Sequence, residues 1–309
     1  MGKASVAEIK ELMSATGVGM MDCKKALEEN DGDREKAIEF LREKGLATQA
    51  KKSGRAAAEG VVTAVVNGEA GVILEVNTET DFAANTEDVR NFVAAVANTI
   101  IEKNPADVDA LMKETISGGS NTVSEALTDL AGMKIRENIV IRRFVRFEGK
   151  LASYIHNGGS IGVLVKMDTD LAADAVAVIG KDVAMQSAAL GAPYVKREDV
   201  PAEVIENERK IMMTQMSEDP KMANKPEQVK EKIIDGKVEK YFKENCLLEQ
   251  AFVKDDKVSV QGYVDAEAKK LGGSIKVVEC VRFERGEGIE KKVDDFAAEV
   301  AAQIAGAAK

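Results

Sequence analysis

Gly60-Val-Val-Thr-Ala-Val-Val-Asn67-Gly68-Glu-Ala-Gly71-Val-Ile-Leu-Glu-Val76 sets two runs rich in β-branched residues on either side of an Asn-Gly pair. Asn and Gly enter positive φ at little cost, and the tight turns they form match the twist of paired strands, so the stretch predicts a β-hairpin. About 90 residues later the pattern returns as Lys150-Leu-Ala-Ser-Tyr-Ile-His156-Asn157-Gly158-Gly-Ser-Ile161-Gly162-Val-Leu-Val-Lys-Met167. A second echo pairs Val145-Arg-Phe-Glu148 with Val281-Arg-Phe-Glu284, each near the end of a β-rich run, Ile139–Phe147 and Ser274–Phe283. Helical patterns fill the space between hairpin and closing strand, as in Val89, Phe92, Val93, Val96 and Ile100. Two copies of a hairpin–helices–strand unit predict an α+β fold of two related subdomains, each a three-stranded antiparallel sheet covered by helices.

Outward from the repeats, the N-terminal residues read as a three-helix head. Val6, Ile9, Leu12 and Met13 recur at helical spacing until Thr16-Gly17-Val18-Gly19; Met20, Met21, Cys23 and Leu27 mark a second helix. Asp33 is placed to cap a third, which Ala37, Ile38 and Leu41 carry to an expected stop at Gly45. Residues 47–58 lack an apolar anchor and read as an exposed linker. Within the second repeat, Ile205, Met212 and Met216 form one helical seam and Val229, Ile233 and Ile234 begin another, with Pro220 and Pro226 around the turn. Each stripe is wide enough only to cover its mate, which predicts an inserted antiparallel coiled-coil hairpin over 201–242. Val293, Phe296, Ala297, Val300 and Ile304 predict a C-terminal helix. The expected order is head 1–46, linker 47–58, subdomain 59–148, subdomain 149–200 with 243–285, insertion 201–242, and C-terminal module 286–309.

Composition mainly excludes. Hydrophobic residues at 45% and charged residues at 31% suit a globular chain, and no apolar run approaches the roughly 20 residues of a membrane span. The opening residues carry no apolar leader. Cys23, Cys246 and Cys280 are odd in number and far apart, which argues against a disulfide framework and for a reducing cytoplasm. Net charge is −10: residues 1–55 hold 11 Lys/Arg against 10 Asp/Glu, and the remainder 32 against 43. Such an acidic body disfavours nucleic acid and leaves a protein partner or small molecule. No phosphate-cradling glycine loop is present, and one histidine in 309 residues leaves little room for metal or Ser-His sites. No cofactor, metal site or catalytic constellation is expected; the surviving nucleophilic option joins Cys246 or Cys280 with His156.

Two stretches stand apart. Leu12-Met-Ser-Ala-Thr16-Gly17-Val18-Gly19-Met20-Met21-Asp22-Cys23 reads either as a helix corner with core methionines or as a contact surface, since adjacent methionines cannot both face inward. Glu75-Val76-Asn77-Thr78-Glu79-Thr80-Asp81-Phe82-Ala83-Ala84-Asn85 leaves a strand and enters a helix capped by Thr80 or Asp81. Phe82 stands seven residues before Val89, so it either joins the buried stripe or forms an exposed Asp-Phe tip.

Both stretches resemble signature motifs of the elongation factor Ts family, the second as E-V-N-x-E-T-D-F, and the resemblance runs the length of the chain. It implies a ubiquitin-associated-type head, duplicated core subdomains, a coiled-coil insertion and a C-terminal module around Gly286-Glu-Gly-Ile-Glu. It further implies exchange of guanine nucleotide on elongation factor Tu, with no bond-making active site. Leu12, Met20 and Met21 would contact the partner's G domain. The Thr80-Asp81-Phe82-Ala83 tip would displace Mg²⁺, Phe82 wedging between G-domain helices and Asp81 supporting the shift. Ile135 would approach the phosphate loop, and His156 a second region of the partner. Departures from the family pattern are Met13 where Arg is frequent, Ala83 for Val, and Arg136 for Gly. A helical-head adaptor without exchange activity is the rival reading. A dimer of heterodimers with elongation factor Tu is among the assemblies the sequence allows.

Overall fold

The computed structural model describes residues 4–219 and 225–290. Two compact units emerge: one takes the chain up to Val61, Glu75–Arg143 and the segment from Glu284 on, the other Val62–Leu74 and Phe144–Phe283. The expected C-terminal helix and Pro220 lie outside the described residues. None of the described helices is long and apolar enough to cross a membrane.

In the first unit, α1 (Val6–Thr16), α2 (Met20–Glu29) and α3 (Arg34–Lys52) form the head. Ser5 and Glu8 make a reciprocal capping box at the start of α1, and the Asp33 carboxylate accepts from the N–H groups of Glu35 and Lys36 at the start of α3. Ile9, Leu12, Val18, Cys23, Ala26, Leu27, Ala37 and Leu41 close a small core, joined by Met133. Gly45 does not stop the third helix, which runs on to Lys52. It is a packing glycine instead: a Cβ added at Gly132 would meet the Gly45 carbonyl oxygen at 2.3 Å. Gly132 lies in a wide π-helical turn, Asp129–Lys134, that follows the short helices α6 (Val108–Leu111) and α7 (Val123–Thr128). The expected linker over 47–58 is therefore helical at its start, and Ala57 and Ala58 near its end are buried.

Two three-stranded sheets have the orders β1-β2-β3 and β4-β5-β8. The first contains Glu59–Asn67, Ala70–Thr78 and Ile139–Glu148; the second contains Lys150–His156, Ile161–Thr169 and Ile275–Glu284. The first hairpin turns on Gly68-Glu69, one residue later than the Asn-Gly reading, because Asn67 still belongs to its strand and Gly68 supplies φ +62°. The second hairpin has a longer loop, Asn157 to Ser160, with Asn157, Gly158 and Gly159 all at positive φ. Its strands pair antiparallel from Lys150↔Met167 to His156↔Ile161.

Within the second unit the outer parts of β1 and β2 pack against the second sheet, where Val62, Ala64 and Ile73 meet Leu164 and Phe283. The opposite face of that sheet buries α8 (Ala173–Leu190), with Val176, Ile179, Val183 and Ala184 against Val163, Val165 and Met167. Two helices, α9 (Ala202–Glu218) and α10 (Glu227–Asn245), cover each other through Met216, Ile234 and Val238, with Ile205, Met212, Ile233 and Phe242 around them. The second of these runs three residues past the expected end at 242. A short hairpin, β6 (Ala251–Phe252) and β7 (Asp255–Ser259), precedes α11 (Val260–Leu271).

Candidate functional site

The first unit brings the sequence-selected residues of the head, the Ile135 loop and the Asp-Phe tip onto one connected framework. The tip begins where β2 ends. Thr80, extended at φ −123° and ψ 153°, caps the single-turn helix α4 (Asp81–Ala84): its Oγ1 accepts from the Ala83 N–H at 3.1 Å. Ala83 and Ala84 face inward at 2% and 1% exposure, which turns the opposite side of the turn to solvent. Phe82 is 82% exposed there. The buried-stripe reading of Phe82 is therefore wrong. Thr86 interrupts the helix and caps α5 (Glu87–Lys103) separately through Val89 N, so the spacing from Phe82 to Val89 does not run along one helix. The Asp81 carboxylate makes no hydrogen bond or ion pair with the described residues.

Glu137 holds the tip from behind. Its carboxylate accepts from the Thr80 N–H at 3.0 Å and from the Thr80 hydroxyl at 2.8 Å. Glu79 mirrors it, accepting the backbone N–H of the buried Asn138 at 2.6 Å and pairing with Arg55 at 3.3 Å. Asn138 in turn donates its side-chain amide to the Arg55 carbonyl at 2.7 Å.

The loop bearing Glu137 also reaches the head. Ile135 is half-buried, and its N–H is held by the Leu130 carbonyl. Arg136 stands at φ +60°, and its guanidinium pairs with Asp22 on α2. Lys44 donates to the same carboxylate at 2.8 Å. That Lys44 bond holds the Asp22 carboxyl below its ordinary range, with partial burial opposing and Arg136 adding to the effect. Met20 and Met21, immediately before Asp22, are 51% and 73% exposed, so neither is a core residue. Leu12, expected to contact a partner, is 1% exposed and sits inside the head core. A leucine on the same helical stripe as Ile9 has no free face to offer; its effect on any surface is through the packing of α1 on α2.

Glu75 is the residue that sequence reading missed. It is fully buried, yet its carboxylate accepts from Arg142 at 3.0 Å, Arg143 at 2.7 Å, the Asn77 amide at 3.1 Å and the Gly286 N–H at 2.8 Å. Burial alone would raise its pKa; the Gly286 N–H, Arg143, Asn77 and Arg142 outweigh it and hold the group ionised below the ordinary glutamate range. Arg143 also pairs with Glu287 at 3.0 Å, so this knot ties the segment after Phe283 to the sheet.

His156 belongs to the second unit. It is exposed, its Nδ1 lies 3.2 Å from the Tyr154 hydroxyl, and it borders a recess of about 170 Å³ with Met185, Ala188 and Val253. The thiols of the second unit are poor nucleophiles. Burial pushes Cys246 and Cys280 each up to about 11, which leaves about one thiolate in ten thousand at neutral pH. Among the described residues no group of three or more His, Cys, Asp or Glu is placed to hold a metal ion.

A family model described as elongation factor TS matches residues 79–287. The chain is similar to the elongation factor Ts of Trichlorobacter lovleyi, with 48% identity over 96% of this chain and 97% of that protein. It is likewise similar to the elongation factor Ts of Clostridium kluyveri, at 47% over 96% and 98%, and to that of Clostridium perfringens, at 45% over 95% and 96%.

Proposed function

Since the chain belongs to the elongation factor Ts family, we propose that it acts in the cytoplasm as a guanine-nucleotide exchange factor for elongation factor Tu, releasing GDP by weakening the partner's hold on Mg²⁺ and phosphate. The observation that carries this reading is Phe82: a large apolar side chain 82% exposed on a turn fixed by a Thr80 cap and a Glu137 brace. An exposed Phe forgoes the roughly 1.5–3 kcal/mol that burial would contribute, and a rigid turn presents it at little further entropic cost on binding. Next to it the Asp81 carboxylate, without a partner among the described residues, supplies a negative charge, suited to disturbing a site organised around phosphate and Mg²⁺.

Exchange needs no catalytic side chain. It needs a surface that binds the nucleotide-free partner better than the GDP-bound one, and the coupling is reciprocal: nucleotide weakens the factor as much as the factor weakens nucleotide. Inverting an equilibrium from 1:99 to 99:1 takes about 5.5 kcal/mol of differential affinity. One Phe falls short of that, so in this reading Met20, Met21 and Ile135 on the first unit and His156 on the second contribute partner contacts, while Phe82 and Asp81 set the direction of exchange. Leu12 contributes by fixing the helix against which α2 packs.

Release of a fluorescent GDP from elongation factor Tu tests the proposal. Acceleration by catalytic amounts of the chain is expected; binding without acceleration would leave the helical-head adaptor as the function.

A further inference from the structure

Four non-glycine residues among those described have positive φ: Asp31, Asn104, Arg136 and Asn157. Three are Asp or Asn, which adopt this conformation readily because their short polar side chains bond locally. Arg136 has no such excuse. Its left-handed backbone must be held by what surrounds it, and its consequence is geometric. The chain bends at Ile135 and at Glu137, on either side of Arg136, and the two consecutive side chains serve different elements. Arg136 pairs with Asp22 in the first turn of α2, directly after the exposed Met20 and Met21. Glu137 takes both the N–H and the hydroxyl of Thr80, the cap of the turn that bears Phe82.

We infer that Arg136-Glu137 is a two-way clamp, a pair of positioning residues that fixes the methionine face of the head relative to the Phe82 tip, so that docking of the head places the wedge. The inference rests on the exchange reading for its functional half. Three features make the clamp mechanically sound. The Glu137 carboxylate grips Thr80 at two points, which fixes direction as well as distance. Thr80 Oγ1 passes the restraint on by accepting from the Ala83 N–H at 3.1 Å. Asp22 is braced on its far side by Lys44 of α3, so the pull of Arg136 is borne by two head helices. Without the clamp, head and tip would still bind, but as modules joined by looser segments, and the second contact would form at a lower effective concentration.

The experiment uses the full chain and elongation factor Tu loaded with fluorescent GDP, and separates the maximal release rate from the half-saturating concentration. Glu137→Ala is expected to lower the maximal rate about tenfold with the half-saturating concentration within about twofold. In a Phe82→Ala background the same change is expected to cost less than about twofold, because Glu137 acts through the tip. Glu137→Gln, which keeps one acceptor for Thr80, is expected to fall between. Arg136→Gly retains the left-handed backbone and removes only the link to Asp22; it is expected to lower the maximal rate severalfold, again with the half-saturating concentration within about twofold and without lowering the melting temperature, and an unchanged maximal rate would overturn the clamp. Equal losses from Glu137→Ala with and without Phe82, or no loss in either, would overturn the clamp. Amide hydrogen exchange on the free chain reads the clamp without the partner: Glu137→Ala and Glu137→Gln are expected to speed exchange at Ala83 and Ala84. Unchanged exchange there overturns the inference, whereas faster exchange in a chain whose parent fails to release GDP overturns the exchange reading alone.

Discussion

Glu79 and Glu137 cap each other's strand ends: Glu79 accepts the N–H of Asn138 at 2.6 Å, and Glu137 accepts the N–H of Thr80 at 3.0 Å. The exit of β2 and the entry to β3 are thus fastened by two crossed carboxylate–amide bonds, one bearing on a buried strand entry and the other on an exposed tip. The two bonds do different work. That behind Asn138 secures the fold; that behind Thr80 secures the orientation of a surface.

Glu79→Ala is accordingly expected to be a stability change. Asn138 is 5% exposed, so its N–H would lose a charged acceptor with little water to replace it. A loss of about 1.5–3 kcal/mol is expected, as is typical for a hydrogen bond to a charged group. Urea denaturation checks it: the midpoint should fall with the slope unchanged, and the Asn138 amide should exchange faster.

Phe82→Ala should behave in the opposite way. A side chain 82% exposed gives the folded state little, so stability should change by less than about 0.5 kcal/mol. GDP release from elongation factor Tu should nonetheless slow about tenfold or more at saturating factor. Thermal melting and fluorescent-GDP kinetics on the same protein decide the matter, and a large loss of melting temperature would show that Phe82 is a packing residue.

Leu12 and Met21 make a matched pair for the head. Leu12→Ala empties a site that is 1% exposed and should cost about 2–5 kcal/mol of head stability. Met21→Ala removes a side chain that is 73% exposed and should leave melting unchanged while weakening partner affinity severalfold. Calorimetric titration with nucleotide-free elongation factor Tu measures the second effect, and circular dichroism melts the first.

The crossing of α3 with the π-helical turn offers a comparison of two glycines. At Gly132 an added Cβ would sit 2.3 Å from the Gly45 carbonyl oxygen, so backbone must move, and Gly132→Ala should cost about 1–3 kcal/mol. At Gly45 the nearest atom is Met133 Cγ at 2.9 Å, the middle of a flexible side chain. Met133 is 8% exposed in the head core and must shift there; the better helix propensity of Ala, up to about 1 kcal/mol, offsets part of that, and Gly45→Ala should cost less than Gly132→Ala. Denaturant midpoints for the two variants give the comparison.

These glycines also show where the sequence stops being legible. The hairpins, the head helices and their Ser5 and Asp33 caps are local matters, written in spacing and in residues a few positions apart. Gly45 has the local signature of a helix stop; its actual role depends on Gly132, 87 positions away, and only packing reveals it. Phe82 was ambiguous because seven residues is a helical interval, although Thr86 followed by Glu87-Asp88 carries an N-cap signal that breaks the helix between Phe82 and Val89. The tip motif could be read as a candidate, but Glu137, which aims it, could not, since nothing local in Arg136-Glu137-Asn138 points to Thr80.

Glu75 lies furthest beyond local reading, and it sets a pH dependence whose sign is fixed. Its carboxyl is held below the ordinary value by the Gly286 N–H, Arg143, Asn77 and Arg142 against an opposing effect of burial. A depressed pKa means that the unfolded chain binds the proton more readily than the folded one. The stabilisation is therefore fully present above the unfolded value near 4.5 and is lost as pH falls below it toward the lower folded value. Glu75→Gln keeps the shape but sets a neutral amide before Arg142 and Arg143, which are 26% and 33% exposed and keep contacts to Glu287, so the loss is that of hydrogen bonds to a charged group, about 1.5–3 kcal/mol. The variant should be destabilised by roughly that amount at pH 7. The gap from the parent should narrow as pH drops below about 4.5, because protonation does to the parent what the substitution has already done. Urea midpoints for both chains at pH 7, 5, 4 and 3 measure it; a gap that stays constant to pH 3 would mean that the Glu75 carboxyl is not held below its ordinary value in the folded chain.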